Sequence, residues 1–212
     1  LTIKDVQDAC DLFKSVYESS NGVDGYVSLE VSPYLAHNTE ETLSEARRLF
    51  AAVNRPNCYI KIPGTSAGIS AIEQALFEGI NVNVTLLFSI KAYEEVANAY
   101  INALERRLND SKSVNNVTSV ASFFLSRIDT LTDQLLGHLI NPNKNFGNLP
   151  RPEQLLGKAA IASAKIAYQS FLKIFSGERW DKLAAAGAKV QRPLWASTST
   201  KDPLYLDTKY VD

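Results

Sequence analysis

The stretch CYIKIPGTSAGISAIEQALFEGINVNVTLLF, Cys58–Phe88, holds one strand–helix–strand unit and decides the fold. Cys58–Pro63 is short, apolar and β-branched, so it is expected to be a strand. Gly64-Thr65-Ser66 opens a helix that runs to about Glu78, and Gly79 is placed to end it. Asn81–Phe88 then reads as the next strand. A strand, a helix and a second strand in about thirty residues is the parallel β/α repeat.

The pattern continues on both sides. Upstream, Ile3, Val6, Cys10, Phe13, Val16 and Tyr17 predict a helix over 2–19. A strand follows at Gly25–Val31, then a helix capped by Asn38 or Thr39, with Glu40 and Glu41 in its first turn, that stops at Asn54-Arg55-Pro56. Downstream come a helix from Ser89 to Leu108, a strand at Val117–Leu125 and a short helix over 127–136. A loop-like stretch, 141–152, precedes helices near 153–175 and 178–186, and a fifth strand spans Val190–Ser197. The interval from Glu30 to Lys61, 31 residues, matches the roughly 30 residues of one barrel unit. A doubly wound sheet would carry a Gly-rich phosphate turn after its first strand, and none is present. The expected fold class is α/β: a (β/α)8 barrel, incomplete over this chain, with about five strands. One domain, 1–212, is expected, with a helical insertion near 137–187.

These strands are more polar than a parallel sheet requires. Alternation puts Val27, Leu29 and Val31 on one face and Ser28 and Glu30 on the other. Ile60 and Ile62 oppose Lys61; Val82, Val84 and Leu86 oppose Asn83 and Thr85; Ala121, Phe123 and Leu125 oppose Ser122 and Phe124. With the aliphatic set under the helices, Glu30, Lys61, Asn83, Thr85 and Ser122 converge inside the barrel. A strand-end lysine reaching solvent would explain Lys61 alone. Several strands sharing the polar parity are harder to explain by packing, and the carboxyl ends of barrel strands are where active sites form.

An amine that has lost its proton can attack a ketone and form a Schiff base, whose iminium accepts electrons during carbon–carbon cleavage. Glu30 with Thr85 could hold the water that shuttles protons, and Asn83 and Ser122 could bind substrate hydroxyls. Arg127, just past the fourth strand, suits a phosphate, although a surface ion pair with Asp129 explains it equally well. Ser197 and Lys201, past the fifth strand, could share that anion.

Composition is ordinary for a soluble globular protein. Apolar residues make 45%, charged residues 21%, and the net charge is −1, so neither nucleic acid nor membrane is an expected partner. Cys10 and Cys58 have no CxxC partner, which suits a reducing compartment: the cytoplasm first, the plastid stroma as alternative. His37 and His138 lack metal-ligand spacing, and neither metal nor cofactor is called for.

The segments YVSLEVSP, YIKIPGT, GINVNVTLLFS, SVASFFLSRIDT and RPLWASTSTK resemble, in collinear order, the strands of transaldolases. The resemblance implies a transferase of the pentose phosphate pathway. Such an enzyme forms a Schiff base with sedoheptulose 7-phosphate or fructose 6-phosphate and passes a dihydroxyacetone unit to an aldose phosphate. It implies Lys61 as the Schiff-base lysine, Glu30 and Thr85 as holders of the catalytic water, and Asn83 and Ser122 as ligands of the three-carbon unit. Phe124 would line the site, and Arg127 and Ser197 would bind phosphate. Where many relatives carry a second arginine, this chain has Lys201. Sugar phosphates are the implied partners, and a homodimer stays open. The family's first strand supplies an acid/base aspartate that has no counterpart here, and Leu1 falls in the helix after its second strand. The chain is therefore expected to be a fragment, without its first two strands and its last unit, and impaired in turnover. A fructose 6-phosphate aldolase-type lyase, or a remnant that only binds sugar phosphate, are the alternatives.

Overall fold

The computed structural model describes residues 2–141 and 143–211; Leu1, Pro142 and Asp212 lie outside the described residues. Helices α1 (Thr2–Leu12) and α2 (Lys14–Ser19) lead into β1 (Val27–Glu30). Then α3 (Thr39–Val53), β2 (Cys58–Pro63), α4 (Ser66–Glu78), β3 (Val82–Leu87), α5 (Ile90–Asn109) and β4 (Ser119–Phe124) alternate. Three helices, α6 (Ser126–Leu139), α7 (Ala159–Ile174) and α8 (Glu178–Ala185), separate β4 from β5 (Arg192–Ala196). The helix expected over 2–19 is interrupted at Phe13.

Capping residues fix the units. The Asn38 side chain accepts the amide of Glu41 at the start of α3, and Asn54 closes that helix in the left-handed conformation. Thr65 caps α4 through the Gly68 amide, Gly79 ends it at φ 97°, and Ser89 caps α5. A side chain at Gly68 would collide with the Pro63 carbonyl, so the turn out of β2 needs glycine there.

All pairings are parallel and the strand order is β1-β2-β3-β4-β5. Each strand neighbours the one before it in sequence, which is barrel order. A doubly wound sheet reverses at a switch point. β1 and β5 are the edges among the described strands. The sheet is strongly curled. In a flat sheet, β1 and β5 would lie roughly 19 Å apart, four spacings of about 4.8 Å. Yet Lys189 Nζ donates to the carbonyls of Asn21 and Gly22, and Arg192 on β5 reaches Asp24 at 3.2 Å. Thr118 Oγ1, just ahead of β4, donates to the Tyr26 hydroxyl, just ahead of β1, at 3.0 Å.

The convex face carries the core. Ile60, Ile62, Val82, Val84, Ala121 and Phe123 are buried there together with helix residues such as Leu49, Ile72, Leu76 and Tyr100. Alternation holds except at one point. Leu86 was expected on this face, but a register shift between Val84 and Leu87 lifts it out. Leu86 takes φ 61° and is 42% exposed, while Leu87 fills the core position opposite Phe123.

Candidate active site

The concave face collects the polar residues. Glu30 and Lys61 are register partners on β1 and β2, and Lys61 is in turn the partner of Asn83 on β3. Lys61 Nζ lies 3.3 Å from Glu30 Oε2, with the lysine side chain 29% exposed and the glutamate 48%. This is the geometry in which a lysine amine and a carboxylate share one proton-transfer path. The Lys61 side chain is partly exposed, and its amine is turned to Glu30.

A second chain of hydrogen bonds runs alongside. Ser122 Oγ on β4 donates to Asn83 Oδ1 at 2.8 Å, and Asn83 Nδ2 donates to Ser28 Oγ on β1 at 3.0 Å. The Asn83 bond passes over β2, which only a curled sheet permits, and it puts Asn83 on the same face as Ser28 and Glu30. Both side-chain ends of Asn83 are thereby held, so its orientation is fixed before any ligand arrives. Thr85 is 1% exposed, and its hydroxyl has no hydrogen-bond partner among the described residues. A buried hydroxyl left so costs stability unless a ligand or water uses it.

The rim is built by the ends of β3, β4 and β5. Phe124 is buried against Phe88, ring centroids 5.1 Å apart, and the exposed Arg127 guanidinium lies 5.1 Å from the Phe124 ring centroid. No ion pair to Arg127 occurs among the described residues. The surface pair with Asp129 does not form, because the Asp129 carboxylate instead accepts from the Ala160 amide and the Tyr210 hydroxyl. Ser197 Oγ meets Ser126 Oγ at 2.8 Å, and the Ser126 amide donates to the Ser197 carbonyl. Lys201 is exposed, on the wall of a hollow of about 550 Å³ that Ser126 also lines. The structure thus brings Lys61 to Glu30 and joins Ser28, Asn83 and Ser122 by side-chain hydrogen bonds, with Phe124, Arg127 and Ser197 at the strand ends. Thr85 shares the strand parity of Asn83 but has no side-chain bond to any of them among the described residues.

Three features lay beyond sequence reasoning. Ser126 became a candidate only through its bond to Ser197, and Phe88 only through its ring contact. Leu86 and Ser197 (φ 57°) are non-glycine residues in the left-handed region, both at carboxyl ends of strands.

The Lys61–Glu30 pair stands toward the carboxyl ends of adjacent strands in a curled, parallel β/α sheet. The profile of the family described as Transaldolase/Fructose-6-phosphate aldolase matches residues 1–212, and the chain belongs to that family. Among curated relatives, Transaldolase 2 of a Nostoc species is 52% identical over 213 residues, covering 100% of this chain and 56% of that protein. A transaldolase of a Parafrankia species is 52% identical, covering 100% and 55%, and that of Trichodesmium erythraeum is 51% identical, covering 100% and 56%. The chain spans about half the length of the curated relatives it matches.

Proposed function

We propose that this chain carries the Schiff-base half of a transaldolase site, taking a dihydroxyacetone unit from a ketose phosphate, sedoheptulose 7-phosphate or fructose 6-phosphate, for an aldose phosphate. The Lys61–Glu30 pair beside the fixed Asn83 amide carries this reading. Lys61 Nζ attacks the ketose carbonyl carbon, and the carbonyl oxygen becomes the carbinolamine hydroxyl. Glu30 and Thr85 hold a water that delivers a proton to that hydroxyl, which leaves as water while the nitrogen lone pair forms the iminium. Asn83 and Ser122 bind the hydroxyls of the three-carbon unit, and Phe124 walls it. Arg127, with Ser197 and Lys201, takes the phosphate, placing the carbonyl over the amine. No described residue is assigned as base for the carbon–carbon cleavage.

We further propose one domain over 1–212, a homodimer, and residence in the cytoplasm or plastid stroma. Among the described residues, no helix is long and apolar enough to cross a membrane. The family description also admits a lyase, which would release free dihydroxyacetone rather than transfer it to erythrose 4-phosphate. The relatives' names favour transfer. The test is borohydride reduction in the presence of dihydroxyacetone, read by peptide mass spectrometry. A reduced adduct on the Lys61 peptide is expected. An unmodified Lys61 under conditions that trap a known Schiff-base aldolase overturns the proposal.

A further inference from the structure

The segment after β5, residues 201–211, has no regular secondary structure, yet it is tied to α6 by two side-chain bonds of the same kind. Tyr210 Oη donates to Asp129 Oδ2 at 2.7 Å, and Tyr205 Oη donates to Asp133 Oδ2 at 2.7 Å. Asp129 and Asp133 are four residues apart and share one face of α6. Each carboxylate is used twice. Asp129 Oδ1 accepts the Ala160 amide in the first turn of α7, and Asp133 Oδ1 accepts the Gly157 amide, both at 2.8 Å. Lys209 Nζ sits 4.0 Å from Asp129 Oδ2 and 3.5 Å from the Tyr205 ring centroid. Gly157, at φ 65°, leaves room for both, since a side chain there would strike Lys209 Nζ and the Tyr205 hydroxyl.

Asp129 is 1% exposed, and a buried carboxylate is tolerated only when its oxygens are filled as these are. Burial and then the bond to its aspartate push each phenol up, so both tyrosines remain protonated donors throughout the ordinary pH range. The Asp129 bond sits within one turn of Ser126 and Arg127, which open α6, and the Asp133 bond about one turn further along. Ser126, Asp129, Tyr205 and Tyr210 line the same hollow. A helix held by its first and second turns to both α7 and a strap cannot pivot about the β4–α6 junction. The Arg127 guanidinium rests near the Phe124 ring, with no ion pair among the described residues, and the backbone that carries it is held by the Asp129 bond.

We propose that Tyr210 and Asp129 are positioning residues for the anion corner, and that residues 201–211 form a strap whose docking sets affinity for the phosphate end of the substrate. The inference rests on the reading of Arg127 and Ser197 as phosphate ligands. Its prediction is selective: loosening the strap weakens phosphate binding and leaves the chemistry at Lys61 alone.

The experiment compares the full chain with Tyr210→Phe, Arg127→Ala and the double variant. It measures inorganic phosphate affinity by calorimetry and, separately, borohydride trapping of unphosphorylated dihydroxyacetone on Lys61. Tyr210→Phe removes one hydroxyl and keeps the ring. Its phosphate affinity is expected to fall five- to tenfold, with the trapping rate within twofold of the parent. In the Arg127→Ala background the same change is expected to add less than twofold, because the ligand it positions has gone. A Tyr210→Phe chain that binds phosphate as the parent does, or whose loss is the same in both backgrounds, overturns the inference. If Arg127→Ala itself leaves phosphate affinity unchanged, the anion-corner reading falls, and the inference with it. Should Tyr210→Phe not fold, Tyr205→Phe, one turn further from Arg127, is measured in its place, with a twofold to fourfold loss expected and no loss decisive against the strap.

Discussion

The two ends of the sheet spend their polar residues differently. At the amino end, nearly every polar group is closed on another. Asn81 accepts the Thr118 amide and hydroxyl and donates to the Pro56 carbonyl. Asn57 donates to the carbonyls of Cys10 and Gly25, and Tyr26 stacks on Tyr59 at 4.2 Å while bonding to Gly22 and Thr118. Among the described residues there, the Oε1 of the buried Gln191 is the exception. At the carboxyl end, the Lys61–Glu30 pair is open to solvent and the Thr85 hydroxyl is unpartnered among the described residues. One end is finished as a structure, and the other is left able to bond something else. Barrels divide stability and catalysis between their faces in this way.

The contrast breaks most completely at Lys61. Lys61→Met is expected to abolish borohydride trapping while shifting the melting temperature little, because the side chain is partly exposed and its ion pair is worth at most about 1 kcal/mol. The opposite profile is expected for Asn81→Ala. That change strands the buried Thr118 amide and should destabilise the fold by about 2–3 kcal/mol in urea titration, with trapping by the folded fraction intact. If Asn81→Ala abolished trapping without unfolding the chain, the division between the ends would be wrong.

Alternation made much of this legible beforehand. Lys61, Asn83, Thr85 and Ser122 stand at polar positions in otherwise apolar strands, and a period of two places them on one face without knowledge of the fold. The caps at Asn38 and Gly79 were equally plain, since those residue types answer a local need. What stayed hidden was non-local. The bulge at Leu86 has no signal in TLLF, where four residues suit a strand equally well, and it appears only once Leu87 is seen to fit the core. The Asp129–Tyr210 bond joins residues whose contact depends on how α6, α7 and the strap fold back together. Arg127 and Asp129 are two apart on a helix, a spacing at which side chains do not face each other. The sequence could have argued against that pair.

A matched pair of threonines sharpens the comparison at smaller amplitude. Thr118 Oγ1 donates to either the Tyr26 hydroxyl or Asn81 Oδ1, whereas Thr85 Oγ1 meets no partner among the described residues. Thr118→Val is expected to cost about 1–2 kcal/mol and to leave trapping unchanged. Thr85→Val deletes an unsatisfied buried hydroxyl and is expected to hold stability level or raise it by up to about 1 kcal/mol, while slowing trapping roughly tenfold. Equal stability losses for the two would mean that the Thr85 hydroxyl is satisfied in solution in a way the fold alone does not show.

The smallest effect is a pH dependence read at a buried thiol of the amino end. Burial there, reinforced by Cys10, pushes the Cys58 thiol up to about 12, and burial raises the Tyr26 and Tyr59 phenols as well. The native state keeps these protons at a pH where the unfolded chain releases them, so stability must fall as pH rises. The contribution of Cys58 is fully present below the ordinary thiol pKa of about 8.5 and is lost progressively as pH climbs toward 12. Between pH 7 and 9 the loss from this one thiol is below about 1 kcal/mol. Cys58→Ala lowers stability at every pH by opening a small cavity, yet it should flatten the decline between those two values, and urea midpoints at each pH measure both effects. A decline as steep in Cys58→Ala as in the parent would mean that the thiol is not sealed. It should then react with a thiol reagent in the native state, which a buried, protonated sulfur does not.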